Sequence, residues 1–596
     1  MDLYSMYLIN VKALLEREEL MTKITTKRKR VDCPAKVLEL RDDEVTQYAI
    51  LSHRWGEREV GYHEIVELAK MDKEKRDEIR QRDGYQKILD GCKQAEKDGH
   101  KWLWVDTCCI DKRSSAELSE AINSMYRWYE NAQVCYTYLH DVLNSSFPIV
   151  PDVEMDAGGW PEWFSRGWTL QEMIAPSNVQ FFNKEWEPIG DKRRLARTLE
   201  KITGVPGRIL TDGLYGDRPC VAQIMSWAAN RTTTRVEDRA YSLMGLLGVN
   251  MPMLYGEGKR AFHRLQLEII RTSNDQSIFA WSWNEEGVRT GSILADDPSV
   301  FHRCSTMELM DPDKFIESLS KEMPEGSQLP SSADDRLGTF PITNRGIQIW
   351  LFLRPVPDTD SVFQAWLPCR HPWTRELVAI NLCLRESNYY RCPQLDSRPE
   401  GTFQFRQVYL RYQDTSYRKA TFEIDDSAIT ESGFTCHSTY PAKFTGNTFI
   451  LTSTDTLCVK VYSNNQTGDW FAAGFGQFFG KDWIHVQSGI ARDFLKKEGA
   501  KYEYNNMLAR APEHAQSMDK APSGALVRIM RSRLGQLTLR TGVVWKSSKE
   551  NGVKLEVFPR DPGFDYVSGE WTRFDVDVGV SVHYFHINID ITVHRK

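Results

Sequence analysis

Little in this chain ties it to a membrane, a metal or a phosphate loop. No run approaches the roughly 18 apolar residues of a membrane span. The start, Met1-Asp2-Leu3-Tyr4, lacks the charged-then-apolar layout of a signal peptide. The 12 Cys are scattered and form no Cys-x-x-Cys, which favours reduced thiols and a cytoplasmic setting. His53 and His63 have no partners at ligand spacing, so no metal site is expected. Gly256-Glu257-Gly258-Lys259 invites a P-loop, but Met253 stands where that motif needs Gly and Arg260 where it needs Ser or Thr. A formal net charge of -6 makes no electrostatic case for nucleic acid. No solenoid or propeller period is present. Lys27-Arg28-Lys29-Arg30 is the one basic cluster near the start, and it is read as an exposed loop.

What is present is an alternation of apolar runs and helical patterns. Tyr48-Ala49-Ile50-Leu51 runs into Ser52-His53-Arg54-Trp55-Gly56, a buried strand followed by a polar cluster. Further strands are expected at 102–106, 134–139 and 179–182, and a leading strand at 3–13. Residues 14–47 read as irregular. Helices are expected over 62–98, from a Ser114/Ser115 cap through Tyr129, over 162–174 and over 191–202. Strand-helix alternation of this kind implies a parallel sheet with right-handed crossovers. The fold class is therefore α/β, a flavodoxin-like domain over 1–203. A helical module is expected over 204–289, with a capping box at Thr234–Glu237. A β-rich region of one or two antiparallel sandwiches or barrels is expected over 290–596.

Ligands bind at the carboxyl ends of strands in open α/β sheets. That places Ser52, His53, Arg54, Trp55 and Asp106 at one rim. Trp163-Phe164-Ser165-Arg166-Gly167-Trp168-Thr169-Leu170-Gln171-Glu172 adds an acid, a cation and two indoles on one expected helix. A carboxylate among aromatic faces suits a ligand with a flat base and a ribose, and an acid can stabilise the cation formed in N-glycosidic cleavage. On the residues alone the favoured reading is that Glu172 pairs with Arg166 and that the Trp are core. A Cys/His hydrolase using Cys108 or Cys109, His53 and Asp106 is a further alternative.

Four blocks, in order, resemble the signature of the heterokaryon incompatibility (HET) domain family. They are Tyr48–Gly56, Trp104–Lys112, Glu117–Tyr129 and Arg166–Glu172. Thr234–Gly245 and Leu254–Gly258 resemble the segment that commonly follows such domains. The resemblance implies fungal non-self recognition and programmed cell death. It also implies a Toll/interleukin-receptor (TIR)-like fold, since the two domains are thought similar. Some TIR domains cleave NAD with a glutamate in a Trp-Cys-x-x-Glu-like helix. Trp168 to Glu172 has that spacing, with Thr169 in place of the Cys.

The resemblance makes Glu172 the expected catalytic residue, with Ser52, His53, Arg54, Trp55, Asp106, Arg166 and Trp168 as substrate-binding residues. No cofactor is expected, and NAD enters as a substrate. Self-association through the N-terminal domain is expected, and the β-rich region takes an unknown protein partner or ligand. The other version is a non-enzymatic assembly module on the same fold.

Overall fold

The computed structural model describes residues 5–23, 36–151, 159–282 apart from 215 and 217, 291–321, and shorter segments between 330 and 593. The Lys27-Arg28-Lys29-Arg30 run lies outside the described residues.

The N-terminal sheet has seven strands: β1 (Ser5–Asn10), β2 (Leu38–Asp42), β3 (Ala49–His53), β4 (Trp102–Val105), β5 (Val134–Tyr138), β6 (Val179–Phe182) and β7 (Pro188–Asp191). Their order is β2-β1-β4-β3-β5-β6-β7. The central four, β4-β3-β5-β6, are parallel. Their order is that of doubly wound sheets, in which the chain reverses direction across the sheet between β3 and β5. The outer strands correct the expectation of an all-parallel sheet, because β1, β2 and β7 add antiparallel edges. The apolar run of β3 is buried at every position, as a strand covered on both faces must be.

Six helices matter for the site: α1 (Val11–Lys23), α2 (Tyr62–Glu67), α3 (Lys73–Arg80), α4 (Asp83–Lys97), α5 (Ser115–Asn131) and α6 (Thr169–Ile174). Ser114 caps α5, its Oγ accepting from the Glu117 N–H at 3.3 Å. Ile122, Met125 and Tyr129 then face the core at helical spacing.

Other expectations fail as well. The stretch read as irregular holds α1 and β2. Val11, Leu14, Arg17 and Met21 are buried at near-helical spacing, a stripe that the intervening charges obscure. Within the helical span expected over 62–98, so charged a stretch as 70–82 would be expected to be solvated, yet Arg76 and Ile79 are buried, and Arg80 and Arg82 pair with Glu18, Glu64 and Glu78. The helix expected over 162–174 is broken into a 3-10 turn, Glu162–Ser165, and α6, with Arg166 extended between them. There the Gly167 N–H donates to the Thr232 carbonyl (2.8 Å) and the Thr232 N–H to the Ser165 carbonyl (2.7 Å). A Cβ on Gly167 would lie 2.5 Å from Thr233 Cγ2, so any larger residue there would have to push the Thr233 methyl aside.

The expected capping box at 234–237 does not form. Glu237 instead accepts from the N–H groups of Gly256 (2.8 Å) and Gly258 (3.0 Å), holding the turn before helix Arg260–Thr272. Beyond that helix the chain is β-rich, with sheets of six, five, four and two strands. Most pairings are antiparallel, but Tyr389↔Leu410 and Phe422↔Asn551 belong to parallel pairs, so the region is not purely antiparallel. One continuous apolar core runs from Met6 to Leu410. No helix among the described residues is long and apolar enough to cross a membrane.

Candidate functional site

Side chains alternate across a strand, and β3 uses this to build two clusters at its carboxyl end. Ser52 points to the face covered by α5 and α6. His53 points to the face covered by α4.

On the first face, Ser52 Oγ donates to Glu172 Oε2 in a short hydrogen bond and accepts from Trp163 Nε1 (2.8 Å). The Tyr129 hydroxyl reaches the Leu51 carbonyl (3.4 Å) and hydrogen-bonds the Glu172 carboxyl. Ser52 is fully buried and Glu172 is 8 % exposed. Burial, aided by the negative charge of Asp106, pushes the Glu172 carboxyl up to about 8; Ser52, Tyr129 and Arg231 pull the other way. Glu172 is thus a neutral acid near pH 7 that a nearby cation can ionise.

On the second face the groups are charged. Lys87 Nζ donates to Glu59 Oε1 at 2.6 Å. His53 Nε2 stands 3.8 Å from Glu59 Oε2 and 3.8 Å from Asp106 Oδ1, and neither ring nitrogen has a hydrogen-bond partner. Burial, then the charges of Lys87 and Lys112, hold His53 well below its usual pKa, so the ring is neutral. Trp55, 49 % exposed, lies across the rim: its Nε1 donates to Asp106 Oδ2 (2.6 Å), and Lys112 Nζ sits 3.7 Å from its ring centroid. Gly84 lets the start of α4 reach this loop, since a Cβ there would lie 2.7 Å from the Arg58 carbonyl oxygen. Asp106, at the end of β4, is the group shared by both clusters.

The structure therefore gathers Ser52, His53, Trp55, Asp106 and Glu172 at one sheet edge. Arg54 lies beside them, paired with Glu162 at 2.6 Å. Arg166 and Trp168 are not brought into this group. Arg166 donates to Thr234 Oγ1 (3.0 Å), and Trp168 hydrogen-bonds Asp238. The expected Arg166–Glu172 pairing is thus replaced: the cation acting on Glu172 is Arg231. The hydrolase alternative fails, because Cys108 and Cys109 are buried and the Cys108 thiol is held well above its usual range by the adjacent Cys109 and by burial. Sequence reading passed over Tyr129, Glu59, Lys87, Lys112 and Arg231. Tyr129 stands in the sequence only as the last residue of the helix expected from the Ser114/Ser115 cap. Surface cavities of about 250 and 300 Å³ lie elsewhere, at Ser177–Val179 with Asp191–Arg193 and between α4 and Lys184–Trp186. Among the described residues no group of three His, Cys, Asp or Glu is arranged to hold a metal ion.

Residues 48–158, which carry β3 to β5 and the rim at Ser52–Gly56, match the heterokaryon incompatibility protein (HET) family. That stretch is what this chain shares with the HET family. Residues 260–290 match a domain of unknown function (DUF8212). The vegetative incompatibility protein HET-E-1 of Podospora anserina is 44 % identical over 248 residues, 39 % of this chain and 17 % of that protein. The chain thus spans about a sixth of that relative's length. Two crystal structures of Xerocomus chrysenteron lectin XCL are also similar, at 14 % and 13 % identity over 24 % of this chain and 96 % and 98 % of theirs. Both TM-scores are 0.17, too low to carry any statement about fold. Ser52, His53, Trp55 and Asp106 fall inside the HET match; Glu172 and Arg231 fall beyond it.

Proposed function

We propose that this is a cytoplasmic effector of fungal non-self recognition and programmed cell death whose TIR-like HET domain hydrolyses NAD. The observation that supports this is the buried Glu172 carboxyl at the switch point between β3 and β5, hydrogen-bonded to Ser52. In the reaction the bond from C1′ of the ribose to the nicotinamide nitrogen breaks. The electron pair leaves with nicotinamide, and water adds at C1′ to give ADP-ribose and a proton. Glu172, ionised by the cationic substrate, stabilises the ribosyl cation. Trp55 offers a stacking face, and Arg54 and Lys112 offer charge for phosphates.

A second version has a specific observation in its favour: Glu172 is only 8 % exposed and Ser52 is fully buried. The same domain would then serve as an assembly surface, with the carboxyl structural. Incubating the purified full chain with NAD, at concentrations high enough to self-associate, separates the two. Nicotinamide release that Glu172→Gln abolishes while the chain stays folded supports hydrolysis. No release under associating conditions leaves the assembly module.

A further inference from the structure

The segment that carries Arg231 to Arg239 lies outside the HET match, yet it is folded onto the chain break in front of α6. Arg231 is 4 % exposed. Its Nη1 donates to the Arg166 carbonyl (2.9 Å) and to Thr169 Oγ1 (3.0 Å), and its Nε to the Trp227 carbonyl (3.2 Å). Thr169 is the first residue of α6 and stands three positions before Glu172, hence on the same helix face. Arg239 donates to the Arg231 carbonyl and pairs with Asp297 at 2.6 Å, which anchors the segment from behind.

We propose that Arg231 is the positioning residue of Glu172: it clamps the first turn of α6 and sets a buried cation against which the carboxyl ionises. This rests on the assignment of Glu172 above. The groups that face Glu172 come from every element packed on it. They are Ser52 from β3, Tyr129 from α5, Asp106 from the end of β4 and Cys135 from β5, whose Sγ lies 3.9 Å from the Glu172 carbonyl oxygen. Asp106 opposes ionisation and Arg231 favours it. Arg231 remains charged near pH 7 although burial pulls it down to about 9.

The test is an infrared pH titration of the full chain without NAD, following the protonated carboxyl band that Glu172→Gln deletes. Arg231→Met is expected to raise the midpoint by about one unit or more, about tenfold in proton affinity. Arg231→Lys, which keeps the charge, is expected to stay near the parent. An unmoved midpoint in folded Arg231→Met overturns the assignment, as does an equal rise in Arg231→Lys. Should Arg231→Met not fold, Thr169→Val decides. It removes one anchor of the guanidinium and is expected to raise the proton affinity about threefold, and no rise overturns the assignment. Absence of NAD cleavage would sink the proposed activity but leave this titration readable.

Discussion

Ser52 and His53 are neighbours in sequence but sit in opposite chemical worlds. The Ser52 side is nearly dry. One acid is held there by a phenol and by a hydroxyl that an indole braces in turn, with a buried guanidinium one helix turn away. The His53 side holds two lysines, two carboxylates and a neutral imidazole under a half-exposed indole. Burial favours the uncharged form of both titrating groups, but this raises an acid and lowers a base. A strand end at a switch point can therefore carry a proton-rich cluster on one face and a proton-poor one on the other, with Asp106 acting on both.

The largest expected effect follows from that opposition. Glu172 is raised from 4.5 to about 8 in the folded chain. The folded state binds its proton more tightly, so the stability it contributes is present below about pH 4.5 and is lost as pH rises towards 8. His53 is lowered from 6.5. There the unfolded state binds the proton more tightly, so the contribution is present above 6.5 and is lost as pH falls below it. Each limb has a steepest slope of about 1.4 kcal/mol per pH unit. Urea unfolding across pH should show Glu172→Gln flattening the alkaline limb and His53→Gln the acid limb. Equal flattening of both limbs by one variant would mean that the two faces are a single cluster.

Lys87→Met strands the Glu59 carboxylate and is expected to destabilise the chain by about 3 kcal/mol while leaving the Glu172 titration in place. Ser52→Ala is expected to lose about 1–2 kcal/mol and to raise the Glu172 midpoint, since its hydroxyl favours the ionised carboxyl. If Ser52→Ala moved the His53 limb instead, the two-face division would be wrong. The smallest change is Trp55→Phe. It removes the Asp106 hydrogen bond and weakens the Lys112 contact at an exposed site, with a loss under about 1 kcal/mol by the same unfolding assay.

Legibility in the sequence tracked how local each signal was. β3, β4, β5 and β6 were readable because each is a short, largely apolar run bounded by turn residues. β7 and β2 were not, being short edge strands with few apolar positions. The break at Arg166–Trp168 was hidden because its cause, Thr232, lies more than sixty residues downstream. Glu172 could be nominated from its motif spacing, whereas Lys87 and Arg231 could not, since neither belongs to a motif and the partner of each lies far along the chain.

The sequence by itself determined that parallel strands alternate with helices, that acids and indoles collect after those strands, and that the chain turns β-rich beyond its helical stretch. These follow from periodicity and turn chemistry, which are written within a dozen residues. Only the tertiary structure decided that Ser52 and His53 serve different faces, and that Arg231 rather than Arg166 is the cation acting on Glu172. Burial and pairing depend on what packs from far along the chain, and a carboxyl's charge state depends on both.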